Sequence, residues 1–182
     1  MKVFRDTSGD YATRIINDPE VDQGPLDLRP IADHPCVYAL VGAPPIGTHI
    51  CLKILDGIYE FHSAVLPRGR GEWMADFTGS SIEFMFVQTD CIELITAIPK
   101  GNLAATALAR RFGFFPRWRC GPLRYKDQMI PFVVWSLTQM EWMPSGRRDY
   151  DLIVEEMQQA GQSAKAVSWQ ARRDFVSRSW VN

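Results

Sequence analysis

Apolar positions along the chain keep two rhythms, one of period two and one of helical period, and their alternation lays out the elements. The run at 36–41, Cys-Val-Tyr-Ala-Leu-Val, is continuously apolar and is closed by Gly42 and two prolines, as a buried strand would be. Residues 48–54 alternate, Asp56 and Gly57 make a hairpin turn, and residues 58–66 alternate again. These three strands are expected to form an antiparallel meander. Pro67 ends the third, and Arg-Gly-Arg-Gly follows it. Met74, Phe77, Ile82, Met85 and Phe86 then recur at three- and four-residue steps, which predicts a helix over Glu72–Gln88 with one buried face.

Residues 92–98 read as the next strand. Strand, helix and strand in that order make a crossover, which sets this strand parallel beside the one at 60–66. Pro99 to Asn102 opens another helix, with Asn102 as N-cap, Ala105, Leu108 and Phe112 facing inward, and Gly113 closing it. A last antiparallel pair is expected near 118–123 and 132–137, turning at Lys126 and Asp127. Ahead of the strands, Ser8 or Thr7 caps a short helix through Tyr11, Ile15 and Ile16. A second, irregular helical piece over 25–32 carries Leu26, Leu28 and Ile31. Pro144, Ser145 and Gly146 break the chain, and two amphipathic helices are expected at 148–160 and 163–180. The resulting division is a domain at 1–143 and a helical extension at 144–182.

With 182 residues, 46% of them apolar and 23% charged, the chain suits one soluble domain with a full core. A net charge of −1 supplies no bulk field for nucleic acid or for a basic partner. Four scattered cysteines without ligand-spaced histidines read as free thiols of a reducing compartment. No run is apolar and long enough to span a membrane, so a cytoplasmic protein with no membrane partner is expected.

The sharpest chemistry lies at 58–75. A strand, a glycine-rich loop and a helix start bring bare N–H groups and the positive helix end to one point, where an anion can sit. Arg68 and Arg70 stand beside it. An ordinary tight connection would also use glycine here. Glu60 and His62 share one strand face by period two; either can take a proton, imidazole at near-neutral pH and a carboxylate when buried.

Two ordered segments carry a resemblance. The first is Val65-x-Pro67-x-x-Arg70-Gly71-x-Trp73-x-Ala75; the second is Thr96-x-x-Pro99-x-x-Asn102-x-x-Ala105, followed by Gly113 and Phe114. Together they resemble the GNAT superfamily of acetyl-CoA-dependent N-acetyltransferases, over roughly residues 15–143. The wording Tyr-Glu-x-His…Leu-Pro-x-x-Arg-Gly resembles its branch in tailed bacteriophages and prophages. The resemblance implies an α+β GNAT (acyl-CoA N-acyltransferase) fold: a mixed, mostly antiparallel sheet of six or seven strands with a splayed parallel pair, and helices on both faces. It implies acetyl-CoA as co-substrate and no metal, in a bacterial or phage-infected cell.

By the same resemblance, the family's pyrophosphate pattern falls on Arg70, Trp73 and Ala75, Trp73 standing where a glycine is customary. A register from Arg68, with Gly71 next and Trp73 last, is the alternative. The backbone of Gly71, Glu72, Trp73, Met74 and Ala75, aided by Arg68 and Arg70, would hold the diphosphate. The pantetheine arm would pair with Ala64, Val65 and Leu66 in a gap opened by a bulge near Val65. Asn102, which is also a plain helix cap, and Ala105 would line its other side. The implied reaction is direct attack of a primary amine in a ternary complex, with His62 and Glu60 as catalytic base candidates. A tyrosine customary seven residues after the helix asparagine is Ala109 here, so the thiolate would take its proton from water, Tyr59, Ser63 or Tyr125.

The acceptor is left open among a protein lysine or N-terminus, a small amine, and an aminated base of modified DNA, because acceptor pockets come from variable segments, here 17–33 and 117–130. Trp169, Val176 and Trp180 form one stripe of the C-terminal helices, which would pack on the domain, pair two copies or dock on a larger partner. The alternative function is a non-catalytic phage structural or assembly protein on the same fold.

Overall fold

A computed structural model describes residues 1–21, 25–125 and 128–143. The expected turn at Lys126 and Asp127 and both expected C-terminal helices lie outside the described residues.

Seven strands form one sheet in the order β1-β2-β3-β4-β5-β7-β6. β1 (Val3–Arg5), β2 (Val37–Gly42), β3 (Gly47–Leu55) and β4 (Ile58–Val65) pair antiparallel in sequence order. β4 pairs parallel with β5 (Glu93–Pro99), which pairs antiparallel with β7 (Gln128–Thr138), itself antiparallel to β6 (Phe115–Tyr125). The β3–β4 hairpin turns through Gly57 at φ 73, a left-handed conformation that glycine adopts without a Cβ penalty. α2 spans Glu72–Gln88 and crosses from β4 to β5, and the crossover makes them parallel.

Strand alternation sorts the apolar residues onto two faces. Leu40, Cys51, Tyr59 and Phe61 cluster with Ala75, Ile82, Met85 and Phe86 of α2 and with Ala109 of α3 (Leu103–Arg111). The residues between them in the strands, Ala39, Val41, Ile50 and Ala64, cluster with Ala12, Ile15 and Ile16 of α1 (Asp10–Ile16). α1 therefore covers one face, α2 and α3 the other.

Four local readings of the sequence are corrected. α1 is capped chiefly from Asp6, with Ser8 in support and Thr7 taking no part: the Asp6 carboxylate accepts from the backbone N–H of Gly9 at 3.1 Å and of Ala12 at 3.0 Å, and from the Ser8 hydroxyl at 2.8 Å, while Ser8 Oγ accepts from Asp10 N–H at 3.2 Å. Residues 25–32 are not helical. Consecutive turns run from Arg29, with Ile31 N–H donating to Leu28 C=O, because Pro30 has no N–H and bars its predecessor from the helical region. Of that segment's apolar side chains Leu28 is buried, while Leu26 and Ile31 are exposed. β1 and a short helix α4 (Gln139–Trp142) are additional elements. The expected bulge near Val65 does not form: β3 and β4 stay in register from Gly47↔Val65 to Lys53↔Tyr59, and the irregularity falls at Lys53/Leu55.

Because Asp6 is buried and its carboxylate receives two helix N–H groups, Asp6→Ala should cost about 1–2 kcal/mol and Ser8→Ala measurably less. The midpoints of urea unfolding at unchanged slope will rank the two.

Candidate functional site

β4 and β5 share only three paired positions, Ile58↔Glu93, Tyr59↔Leu94 and Glu60↔Ile95. Beyond Glu60 each strand follows its outer neighbour: β4 stays with β3 to Val65, and β5 stays with β7 to Pro99. A gap opens between them. The gap leads into a cavity of about 620 Å³ under α2 and α3, bordered by Phe61, Ser63 and Val65 of β4 and by Thr96 and Ile98 of β5.

The backbone at the mouth is set by alternation. Leu66 N–H donates to Ile46 C=O at 2.9 Å, and Leu66 C=O accepts from Gly69 at 2.8 Å. Both Leu66 groups are thus spent inside the protein. Successive residues of a strand point their backbone groups to opposite edges, so the N–H of Val65 faces the gap.

A single 3₁₀ turn, Pro67–Gly69, leads to Arg70 and Gly71. Gly71 is the N-cap of α2 at φ 85, with open space where a Cβ would stand and no side chain capping the helix. The first-turn N–H groups have no acceptor in the helix, and Ala75 is the residue whose N–H returns to Gly71 C=O. Arg70, Gly71, Glu72, Met74 and Ala75 line the cavity mouth.

The Trp73 indole lies away from these amides. A Cβ added at Gly42, Gly47 or Gly69 would come within 2.7–2.8 Å of the indole or of a neighbouring side chain, and the ring packs on Phe77 at 5.0 Å between centroids. The indole rests against those glycines, Gly42 and Gly47 of the sheet and Gly69 of the 3₁₀ turn.

Across the cavity, Asn102 Oδ1 accepts from Ala105 N–H at 3.1 Å and caps α3, and both residues line the cavity. Ala109 lines it as well, with 7% of its surface exposed. Arg111 of α3 and Glu72 of α2 form an exposed ion pair at 3.3 Å across the mouth, which contributes little to stability. Of the remaining residues expected here, Ala64 is buried against α1, Arg68 is exposed on the 3₁₀ turn, and neither is part of the cavity lining.

Glu60 and His62 do share a face, with His62 Nε2 at 3.4 Å from Glu60 Oε2. That face is the one α1 covers; the cavity is lined by the intervening Phe61 and Ser63. The structure therefore sets the pair on the other side of the sheet from the cavity, with Glu60 as the last residue before the strands part. Among the other hydroxyls, Tyr59 is buried and donates to Asp90, which together with burial raises its pKa. The Tyr125 side chain lies outside the described residues.

One buried group was missed. His49 on β3 is fully enclosed, pairs across the hairpin with Ser63, and has its ring against Phe61 and Phe77. The signal was present: the Asp56-Gly57 turn fixes the register that sets His49 opposite Ser63. Burial drives the His49 pKa down to about 3, because a charged ring there would lose its water. Among the described residues no cluster of His, Cys, Asp or Glu is placed to hold a metal, and no helix is long and apolar enough to cross a membrane.

No family model and no curated protein matches the sequence. Solved structures do match. Mutant forms of a spermidine/spermine N-acetyltransferase from Vibrio cholerae align with a TM-score of 0.67 at 12% identity, over 80% of this chain and 99% of theirs. A ribosomal-protein-S5-alanine acetyltransferase from Vibrio fischeri aligns with a TM-score of 0.62 at 14% identity, over 78% and 94%. The chain has the GNAT acetyltransferase fold, with a seven-stranded mixed sheet and one parallel pair.

The neutral, buried His49 makes stability depend on pH. Its unfolded form takes up a proton below about pH 6.5 and its folded form only near 3, so stability should fall as pH drops through that window, by on the order of 4 kcal/mol in all. Asp90 and Glu141 lose their contributions only further down: despite burial, hydrogen bonds from Lys53 and Thr138 hold both carboxyls low. Unfolding free energy between pH 6.5 and 4.5 should therefore slope downward toward acid in the native protein and flatten in His49→Gln; equal slopes would refute this.

Proposed function

We propose that the protein transfers an acetyl group from acetyl-CoA to a primary amine by direct attack within a ternary complex. The observation that carries this reading is the parting of β4 and β5 after Glu60↔Ile95 next to the uncapped start of α2. The diphosphate sits on the amides of Gly71 to Met74, the Ala75 N–H being bonded within the helix, with Arg70 adding a charge-assisted contact. The pantetheine arm runs along the gap and takes the N–H of Val65, between β4 and the α3 wall at Asn102 and Ala105. That N–H also lies where it can support the thioester oxygen as negative charge develops.

The acceptor approaches from the α1 side and the donor from the α2–α3 side, so the reacting atoms meet in the opening between the strands. The amine must lose a proton as it attacks. Glu60 and His62, side by side at the point of parting, receive it directly or through a water. The neighbouring structures are named for spermidine/spermine and for an alanine of ribosomal protein S5, and a small amine or a protein amine is the acceptor class we favour over an aminated base.

One observation favours a second reading. Ala109 forms cavity wall where the family pattern supplies a tyrosine acid, which suits a non-catalytic phage structural or assembly protein that has kept the fold. Calorimetry separates the two. Coenzyme A should bind, and Arg70→Ala should weaken it about tenfold, as expected for one lost charge-assisted hydrogen bond; no heat at millimolar ligand would favour the non-catalytic role. In a thiol-release assay over a panel of primary amines, His62→Ala or Glu60→Ala should lower kcat by about 100-fold. Full rate in both variants would remove the base assignment.

A further inference from the structure

The net charge of −1 conceals a local imbalance. Residues 94–126 hold seven of the chain's 20 Lys and Arg and none of its 21 Asp and Glu. These cations follow β5 at Lys100, end α3 at Arg110 and Arg111, and recur along β6, an edge strand of the sheet. Among the described elements β6 packs extensively only on β7, and residues 115–119 are all exposed.

Paired residues of neighbouring strands point to the same face of a sheet. Glu60 pairs with Ile95, Ile95 with Ser136, and Ser136 with Phe115. The four make one row, from the parting of β4 and β5 to the edge. Trp118, opposite Val134, is on that face too. Phe115 and Trp118 are 52% and 54% exposed, two aromatic rings left in water on the face from which the acceptor approaches. Between them Arg117 occupies a register shift of β6. Its Nε donates to Ser136 Oγ at 2.7 Å and its Nη2 to Glu141 Oε1 at 2.6 Å, and its guanidinium lies 5.9 Å from the Phe115 ring centre. The edge is thus braced in one shape before a partner arrives, which lowers the ordering cost of binding.

On the opposite face Arg119 stands beside Val133, and two residues along β7 the Arg110 guanidinium lies 5.7 Å from the Trp135 ring centre. Exposed aromatic rings and arginines in a stretch without carboxylates have the composition of a protein-binding surface. Their charge complements an acidic partner. A nucleic acid would need cations along the aromatic face to follow its phosphates, whereas on that face Arg117 is already paired with Glu141.

We propose that β6 is a docking edge for a protein with an acidic surface, and that this protein carries the acceptor amine. The proposal rests on the acetyl-transfer reading and deepens it. Three strand spacings separate β6 from β4, about 14 Å. A chain end of about four extended residues spans that distance, so an amine on a protein seated at the edge reaches Glu60.

Three labelled probes test this against the full-length protein by fluorescence anisotropy: a peptide with one lysine among glutamates, its counterpart among glutamines, and a single-stranded oligonucleotide matching the charge of the first. The glutamate peptide should bind at least tenfold more tightly than the glutamine peptide, and Arg119→Glu or Trp118→Ala should each weaken it about tenfold. With acetyl-CoA, both variants should lower kcat/KM for the glutamate peptide by a similar factor and leave the rate on butylamine unchanged. Equal binding of the two peptides, or tighter binding of the oligonucleotide, would overturn the proposal. The chain has an acidic stretch of its own at 149–156. If the glutamate peptide binds only after Asp149→Asn, Asp151→Asn, Glu155→Gln and Glu156→Gln are made together, the edge serves the chain itself and the proposal falls. Peptide binding without thiol release from any amine would remove the acetyl-transfer reading, and with it the acceptor role, while leaving the docking edge.

Discussion

The structure depends on one interrupted ladder. Backbone N–H and C=O groups of a strand demand partners, and β4 and β5 meet most of that demand on their outer edges, against β3 and β7. Those outer ladders stay intact where the inner one stops at Glu60↔Ile95. The sheet can therefore hold an opening in its middle without losing its integrity. An opening of this kind leaves strand backbone facing the space between, which is the recognition surface an extended, amide-bearing arm requires.

Everything at the mouth follows from the direction in which β4 is made to end. Leu66 is tied to Ile46 and Gly69, so the chain turns sharply and delivers α2 with its bare amides toward the gap. The Trp73 side chain, the largest at that helix start, is accommodated on Gly42, Gly47 and Gly69. A large side chain is thus accommodated at the helix start because three glycines around it make room. The wall opposite is built from small residues of α3, among them Ala105 and Ala109, which keep the cavity wide.

What was legible in the sequence was local. Glu72–Gln88 was bounded by Gly71 and by its apolar rhythm, Asn102 declared itself as a cap, and the Asp56-Gly57 turn set the hairpin. The strand–helix–strand order was enough to make β4 and β5 parallel, and period two was enough to set Glu60 beside His62. What failed depended on distant partners. β1 is three residues long and exists because β2 offers it an edge. Asp6 caps α1 across a turn that no fixed spacing announces. The extent of the gap, the absence of a bulge near Val65 and the face of the sheet on which the cavity lies all come from pairing on both sides of β4. His49 was passed over because a lone histidine in an apolar strand carries no pattern until Ser63 is set against it.

The most direct test is amide hydrogen exchange, residue by residue, with and without saturating coenzyme A. Free N–H groups at a helix start exchange readily because they lack acceptors. We expect coenzyme A to slow exchange at Glu72, Trp73 and Met74 and at Val65, while β1 and β6 exchange as before. Unchanged exchange at those four amides under saturating ligand would contradict the claim that the parted strands and the start of α2 form one binding site.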